Sequence, residues 1–209
     1  MSKFVITSID YYCSKMSKTI DKDIKNKYAF YQDLLEKRKS IFESVIDIKE
    51  ISNNANYLEE KSETTHSTLN NLIDLIVTVK KNDYKYFQFK LRCKDLSETP
   101  FFRYDSDGIA HRNYENKDKI LKEQQVTTPH FHHYNEDGLL LAYKTKSLLN
   151  EKEREALEDI NLCITHYFQE SNIRLNKEDY PTIIINSTEI PYEFEEDDPH
   201  SNIYFDSIK

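Results

Sequence analysis

Glycine is almost absent from this chain of 209 residues, which has two, and tryptophan is missing altogether. Two glycines cannot build a Walker loop, a G-x-G-x-x-G dinucleotide turn or a nucleophile elbow, and none of these motifs occurs. Neither Gly nor Pro appears before Pro100, a gap that favours helix and long strand. Cysteine is scarce and odd in number: Cys13, Cys93 and Cys163 lie far apart, with no C-x-x-C. That excludes a disulfide framework and points to a reducing compartment, with Cys93 and Cys163 as small buried apolar residues. No apolar run reaches the ~18 residues of a membrane span, and residues 4–9 are too few for a signal-peptide core. A soluble, cytoplasmic protein with no membrane partner is expected.

Hydrophobic residues are 38% and charged residues 32%, a lean balance that 15 Tyr and 11 Phe offset by their large burial area. The net charge of -8 is uneven. Residues 187–209 hold seven acids and one base, a local charge of -6, which leaves -2 for the other 186 residues. The body is near neutral, so attraction to nucleic acid is not a property of the whole chain, although a local site remains open.

Three parts are expected: an N-terminal arm (1–26), a single α+β domain (27–174) and a flexible acidic tail (175–209), dispensable for folding from residue 187 on. A short strand is expected over 1–9. The apolar spacing of Tyr31, Leu34, Leu35, Ile41, Phe42, Val45 and Ile46 predicts a leading helix over 27–48. Residues 49–67 show no clear period and read as a connector, with room for a short helix over 55–61. Period-2 alternation then predicts strands over 72–80 and 84–93, joined by a Lys81-Asn82-Asp83 turn. Further strands are expected at 101–105, 129–134 and 139–144. Asn150, with Glu153 three residues on, reads as the cap of a closing helix to Glu170. Residues 182–186 fit an edge strand. The fold class is therefore α+β: a four- to five-stranded antiparallel sheet, with the leading and closing helices packed on one face.

Chemistry concentrates between Phe101 and Tyr143. Both Asp-Gly pairs and four of the seven histidines lie there. Strand parity puts Arg103 and Asp105 on one face of their strand, and His130, His132 and Tyr134 on one face of theirs. Phe102, Tyr104 and Phe131 then face the other way. The triplet His111-Arg112-Asn113 closes over the polar face from a loop. His130, His132, His111, Asp105 and Tyr134 are the candidate catalytic residues, and Arg103, Arg112 and Asn113 the candidate phosphate ligands. Such a set supplies a base, an acid and cations for metal-free cleavage of RNA, with Asp105 setting a histidine tautomer. The bland alternative is that the histidines only pin a long loop. A metal held by His130, His132 and Asp105 or His111 ranks second, so no metal and no cofactor is expected. His66 and His166 read as ordinary boundary histidines. A base-stacking role for the strand with Tyr84, Tyr86, Phe87 and Phe89, helped by Lys85, Lys90 and Arg92, ranks below a plain core role.

The pattern F-R-x-D, H-R-N, P-H-x-H-x-Y and A-Y resembles a family of uncharacterised bacterial and phage proteins. It is carried by Phe102, Arg103, Asp105, His111, Arg112, Asn113, Pro129, His130, His132, Tyr134, Ala142 and Tyr143. The match covers about residues 28–174; the 113–129 segment is longer here, and the arm and tail have no counterpart. More distantly the order is similar to TumE-like toxins of toxin–antitoxin modules, with different spacing. The resemblance implies a leading helix, an antiparallel sheet, a closing helix and a mobile-element or phage-defence setting. It also implies an RNA-directed toxin of ribonuclease type, with RNA and an antitoxin as partners. The rival class is a non-enzymatic antagonist that binds a host defence protein or mimics nucleic acid through its acidic tail. The sequence sets no oligomeric state.

Overall fold

Ile73, Leu75, Val77 and Val79 alternate along the middle strand of a large curled sheet, and all four are fully buried. The computed structural model describes residues 20–50, 56–66, 68–69, 71–114, 119–175 and 180–186. The expected strand at 1–9 and the acidic tail from 187 lie outside the described residues. In chain order come helices α1 (Lys22–Asn26) and α2 (Tyr28–Glu36), then strands β1 (Lys39–Ile41), β2 (Val45–Glu50), β3 (Tyr57–His66), β4 (Ile73–Lys80), β5 (Asp83–Arg92) and β6 (Phe102–Asp105). A small hairpin follows, β7 (His111–Arg112) and β8 (Gln125–Val126), with the one-turn helix α3 (Leu121–Gln124) in its link. The rest is β9 (His130–Tyr134), β10 (Leu140–Tyr143), α4 (Lys146–Leu149), α5 (Glu151–Ala156), α6 (Ile160–Glu170), β11 (Ile173–Leu175) and β12 (Thr182–Ile185).

The class is α+β, and the five expected antiparallel strands are present as the run β4-β5-β6-β9-β10. They are half of a ten-stranded mixed sheet, ordered β10-β9-β6-β5-β4-β3-β1-β11, with β2 joined to β3 and β12 joined to β2. The β1–β11 and β2–β12 pairs are parallel. The four- to five-stranded antiparallel sheet is thus corrected to a larger mixed one.

Three element readings explain the shortfall. The expected helix over 27–48 stops at Glu36, and β1 and β2 take the rest. Its second half satisfies helical spacing, but Phe42 and Val45 are exposed while Ile41, Ile46 and Ile48 are buried. The β-branched Ile and Val residues favour the strand reading. The expected connector contains ten-residue β3, whose inward positions include Ser62, Thr64 and His66. With polar residues on the inner face, no hydrophobic alternation shows. Residues 57–61, placed in a possible short helix, belong to this strand.

The closing helix is two helices. Asn150 caps α5 as expected, but Asp159 caps α6 anew by accepting hydrogen bonds from Asn161 and Leu162 N–H. On α6, Cys163, Ile164, Tyr167 and Phe168 are buried. Tyr167 packs on Phe89, Phe102 and Phe131, with ring centroids 5.2, 5.5 and 6.2 Å away. Tyr31 of α2 instead meets Tyr134 edge-on at 6.1 Å. Phe131 and Tyr134 have opposite parity on β9, so α2 and α6 approach that strand from opposite faces. The expectation of both helices on one face is therefore corrected. Cys93 and Cys163 are buried and free, as expected. Among the described residues no helix is long and apolar enough to cross a membrane.

Candidate functional site

Strand register builds the site. β6 and β9 pair antiparallel with Arg103 opposite His132 and Asp105 opposite His130. All four side chains share the face opposite Phe102, Tyr104 and Phe131, so core packing on one side fixes chemistry on the other. The Nε2 of His132 lies 2.7 Å from His130 Nε2, 2.9 Å from Asp105 Oδ2 and 3.0 Å from Arg103 Nη2. Arg103 Nη2 also reaches Asp105 Oδ2 at 3.1 Å, and His130 Nε2 stands 3.8 Å from that oxygen. Asp105, His130 and His132 each offer a metal-ligand atom, all within 4.8 Å of one another.

The cluster is dry. His130 and His132 are each 1% exposed, and Arg103 is the member that reaches solvent, with its side chain 32% exposed. Burial pulls the His132 imidazole down to about 4 against the hydrogen bond to Asp105. Burial lowers His130 too, opposed by the Thr127 backbone and Asp105. His130 Nδ1 is buried without a hydrogen-bond partner. Burial alone would raise the Asp105 carboxyl, but the His132 hydrogen bond and the Arg103 charge hold it below its usual value. Near neutral pH the set is an ionised carboxylate, two neutral imidazoles and a guanidinium. Asp105 Oδ1, His132 Nδ1 and Arg103 Nε are buried without hydrogen-bond partners.

The triplet closes one side through β7. The His111 ring lies 4.9 Å from the His132 ring and 6.4 Å from that of His130, and its Nε2 bonds Leu140 O at 3.1 Å. Arg112 Nε donates to Gln124 Oε1 at 2.7 Å, and its guanidinium stacks on Tyr114 at 5.0 Å. The Asn113 amide is used at both ends by one backbone residue: Nδ2 donates to Ala142 O at 2.7 Å, and Oδ1 accepts from Ala142 N–H at 2.8 Å. Asn113 is therefore a clip on β10 rather than an open phosphate ligand. Tyr134 has the right parity but stands apart; its hydroxyl is 3.5 Å from Thr99 Oγ1 and its ring rests on Tyr31.

Lys90 is the neighbour that the sequence reading passed over as a site residue. It lies opposite Arg103 in the β5–β6 register and donates to Thr78 Oγ1 at 3.2 Å. Burial lowers its amine. The signal was the alternation of Lys90 and Arg92 against Phe89 and Leu91. Phe87 and Phe89 are core, while Tyr86 packs at 6.1 Å from Tyr57. His66 binds backbone groups of Asp33, Thr68 and Leu69, and His166 binds Thr145 Oγ1. Comparison with known proteins returns no match to this chain, whether a family model, a curated protein or a solved structure.

Proposed function

We propose that the protein is an RNA-directed enzyme of the toxin type, acting on phosphodiesters at the Arg103–Asp105–His130–His132 cluster. The observation that carries this reading is the Arg103 guanidinium, held within 3.1 Å of both a neutral imidazole and an ionised carboxylate while still reaching solvent. A cation so placed binds an anionic oxygen beside a group able to take a proton. The neutral His132 is the base of this scheme, with Asp105 as its orienting partner. Arg112, next to His111 in β7, is the second phosphate ligand of this scheme, and an antitoxin is the natural partner of such a protein.

The test is twofold. Purified protein is incubated with labelled RNA oligonucleotides, and the chain is induced in bacteria while growth is followed. Wild type should cut RNA and arrest growth; His132→Ala and Arg103→Lys should do neither while circular dichroism stays native. Intact RNA and normal growth with the wild-type chain would sink the reading.

One observation favours the rival, a non-enzymatic interaction protein that acts on a host defence protein. Both imidazoles are almost wholly buried, as suits groups that pin β7 to β9 and β10. On that reading His132→Ala lowers stability by ~1–3 kcal/mol for the partners left unsatisfied, and no RNA is cut by any variant.

A further inference from the structure

We propose that Asp105, His130 and His132 are the three protein ligands of a divalent first-row transition metal ion of the zinc type. The ion would be bound through Asp105 Oδ2, His130 Nε2 and His132 Nε2. The inference stands whether or not the substrate is RNA.

Proton bookkeeping is the first support. An imidazole nitrogen is either a donor or an acceptor, never both. His132 Nε2 faces Arg103 Nη2, which can only donate, and Asp105 Oδ2, which as a carboxylate can only accept. If Nε2 carries the proton, its N–H and the arginine N–H collide. If it does not, its lone pair faces the carboxylate oxygen at 2.9 Å. His130 Nε2, at 2.7 Å, needs a third arrangement from the same nitrogen. Protonating the ring leaves the clash with Arg103 in place. With Asp105 ionised, no placement of protons satisfies all three contacts.

A cation resolves them together. A cation among the two Nε2 atoms and Oδ2 would take a lone pair from each, and the Arg103 ion pair with Oδ2 at 3.1 Å would remain. The spacings of 2.7, 2.9 and 3.8 Å bracket the roughly 3.3 Å expected between ligands of a tetrahedral zinc ion with bonds of about 2.0–2.1 Å. Asp105 Oδ1, buried and unpartnered, is free to make the carboxylate bidentate. Two imidazoles and a carboxylate would leave coordination positions for solvent or substrate, and Arg103 is the cluster member that reaches solvent. A metal-bound water there would supply what the two neutral imidazoles lack, an acid or hydroxide source near pH 7. With the ion bound, His132 would be a ligand, and the metal-bound water rather than His132 would be the base of the scheme proposed above.

The decisive measurement is metal content. The full chain is stripped with chelator, reloaded with zinc, desalted and assayed by mass spectrometry and thermal melting. One equivalent of zinc per chain and a rise in Tm are expected. His132→Ala and Asp105→Asn should bind at least ~100-fold more weakly, while His133→Ala, on the opposite face of β9, should bind as wild type. Should the cluster variants fail to fold, X-ray absorption of the zinc-loaded wild type decides. Two imidazole nitrogens and a carboxylate in the first shell support the site. A sulfur ligand, no stoichiometric zinc, or binding unchanged in His132→Ala would overturn it. Metal content is read without RNA, so a chain that binds zinc but cuts nothing fails only the functional reading.

Discussion

Lys39 shows how far one side chain's surroundings can pull its chemistry. It is fully buried, and its ammonium donates to three backbone carbonyls: Leu34 at 2.5 Å, Lys37 at 3.0 Å and Leu35 at 3.2 Å. Two of these carbonyls belong to the last turn of α2, where a cation also suits the helix dipole. Burial nonetheless pulls the amine down to about 7 from its ordinary 10.5. Between those two values the unfolded chain binds the proton that the folded one has released, so stability rises as pH climbs from 7 toward 10.5. Lys39→Met removes that rise. It also leaves the carbonyls without a partner, a cost of ~1–3 kcal/mol that should be larger at pH 9 than at pH 6, where wild type bears a buried charge. Urea midpoints of both proteins at the two pH values check this, and parallel pH profiles would refute it. At the same scale Phe131 separates fold from site. It stacks on Phe102 and Tyr143 at 5.7 and 5.6 Å, on the face away from the imidazoles. Phe131→Ala should cost ~3–5 kcal/mol in equilibrium unfolding without removing a single polar member of the cluster.

Among the elements, the β7–β8 hairpin is the cover of the site, and its attachment is narrow. His111 and Asn113 hold it to β10 through Leu140 and Ala142, with three hydrogen bonds of which two belong to Asn113. Asn113→Ala should therefore loosen the cover, lower stability by ~1–3 kcal/mol and speed hydrogen exchange at the Ala142 amide. An unchanged exchange rate at Ala142 would show that the clip is idle. This element was legible as a loop that closes over the histidines, but Asn113 was assigned to phosphate because an exposed-looking amide carries no sign of its partner. The central strands were legible for a plain reason: β4 and β5 put Ile73–Val79 and Phe87–Leu91 at every second position. Parity alone then gathered Arg103, Asp105, His130 and His132. What period could not show was β3, whose inner face is polar, or β1 and β2, whose apolar residues satisfy two periods at once. Tyr134 stands apart from the cluster for a related reason. Parity sets the face of a strand, but position along the strand decides the neighbours, and Tyr134 lies two residues beyond His132.

For the molecule as a whole, the segment from Ile20 to Lys39 is the strap that joins both flanks of the sheet. At one end Ile20 bridges to Leu139, and Asp21 N–H donates to Gly138 O at 2.9 Å, beside edge strand β10. At the other end the strap becomes β1, between β3 and β11. Ile24 is fully buried between, and Tyr31 Oη accepts from Tyr134 N–H at 2.7 Å. The Asp21 carboxylate ties α1 to the β5–β6 link: Oδ1 caps α1 through Asp23 and Ile24 N–H, and Oδ2 accepts from Ser97 and Thr99 hydroxyls at 2.9 and 2.6 Å. Burial would raise this carboxyl, but those hydrogen bonds outweigh it and hold it below 3.8. Its contribution is thus present above the unfolded value and lost as pH falls through the lower folded one. Gly138 makes the contact possible. Its φ is +72°, and a Cβ there would overlap Asp21 O and stand 3.1 Å from Lys25 Cβ. Gly138→Ala must therefore take a left-handed backbone and push the strap away, at ~1–3 kcal/mol. Since Asp21→Asn weakens the same latch, the double variant should lose less than the two single losses added together. Gly138→Ala should also flatten the acid limb of the stability profile below pH 3.8, because Asp21 then titrates nearer its free value. Urea midpoints of the four proteins at neutral pH, with acid titrations of wild type and Gly138→Ala, test all three points. Strict additivity would mean that the turn and the carboxylate act apart, and that the strap does not close the sheet as one unit.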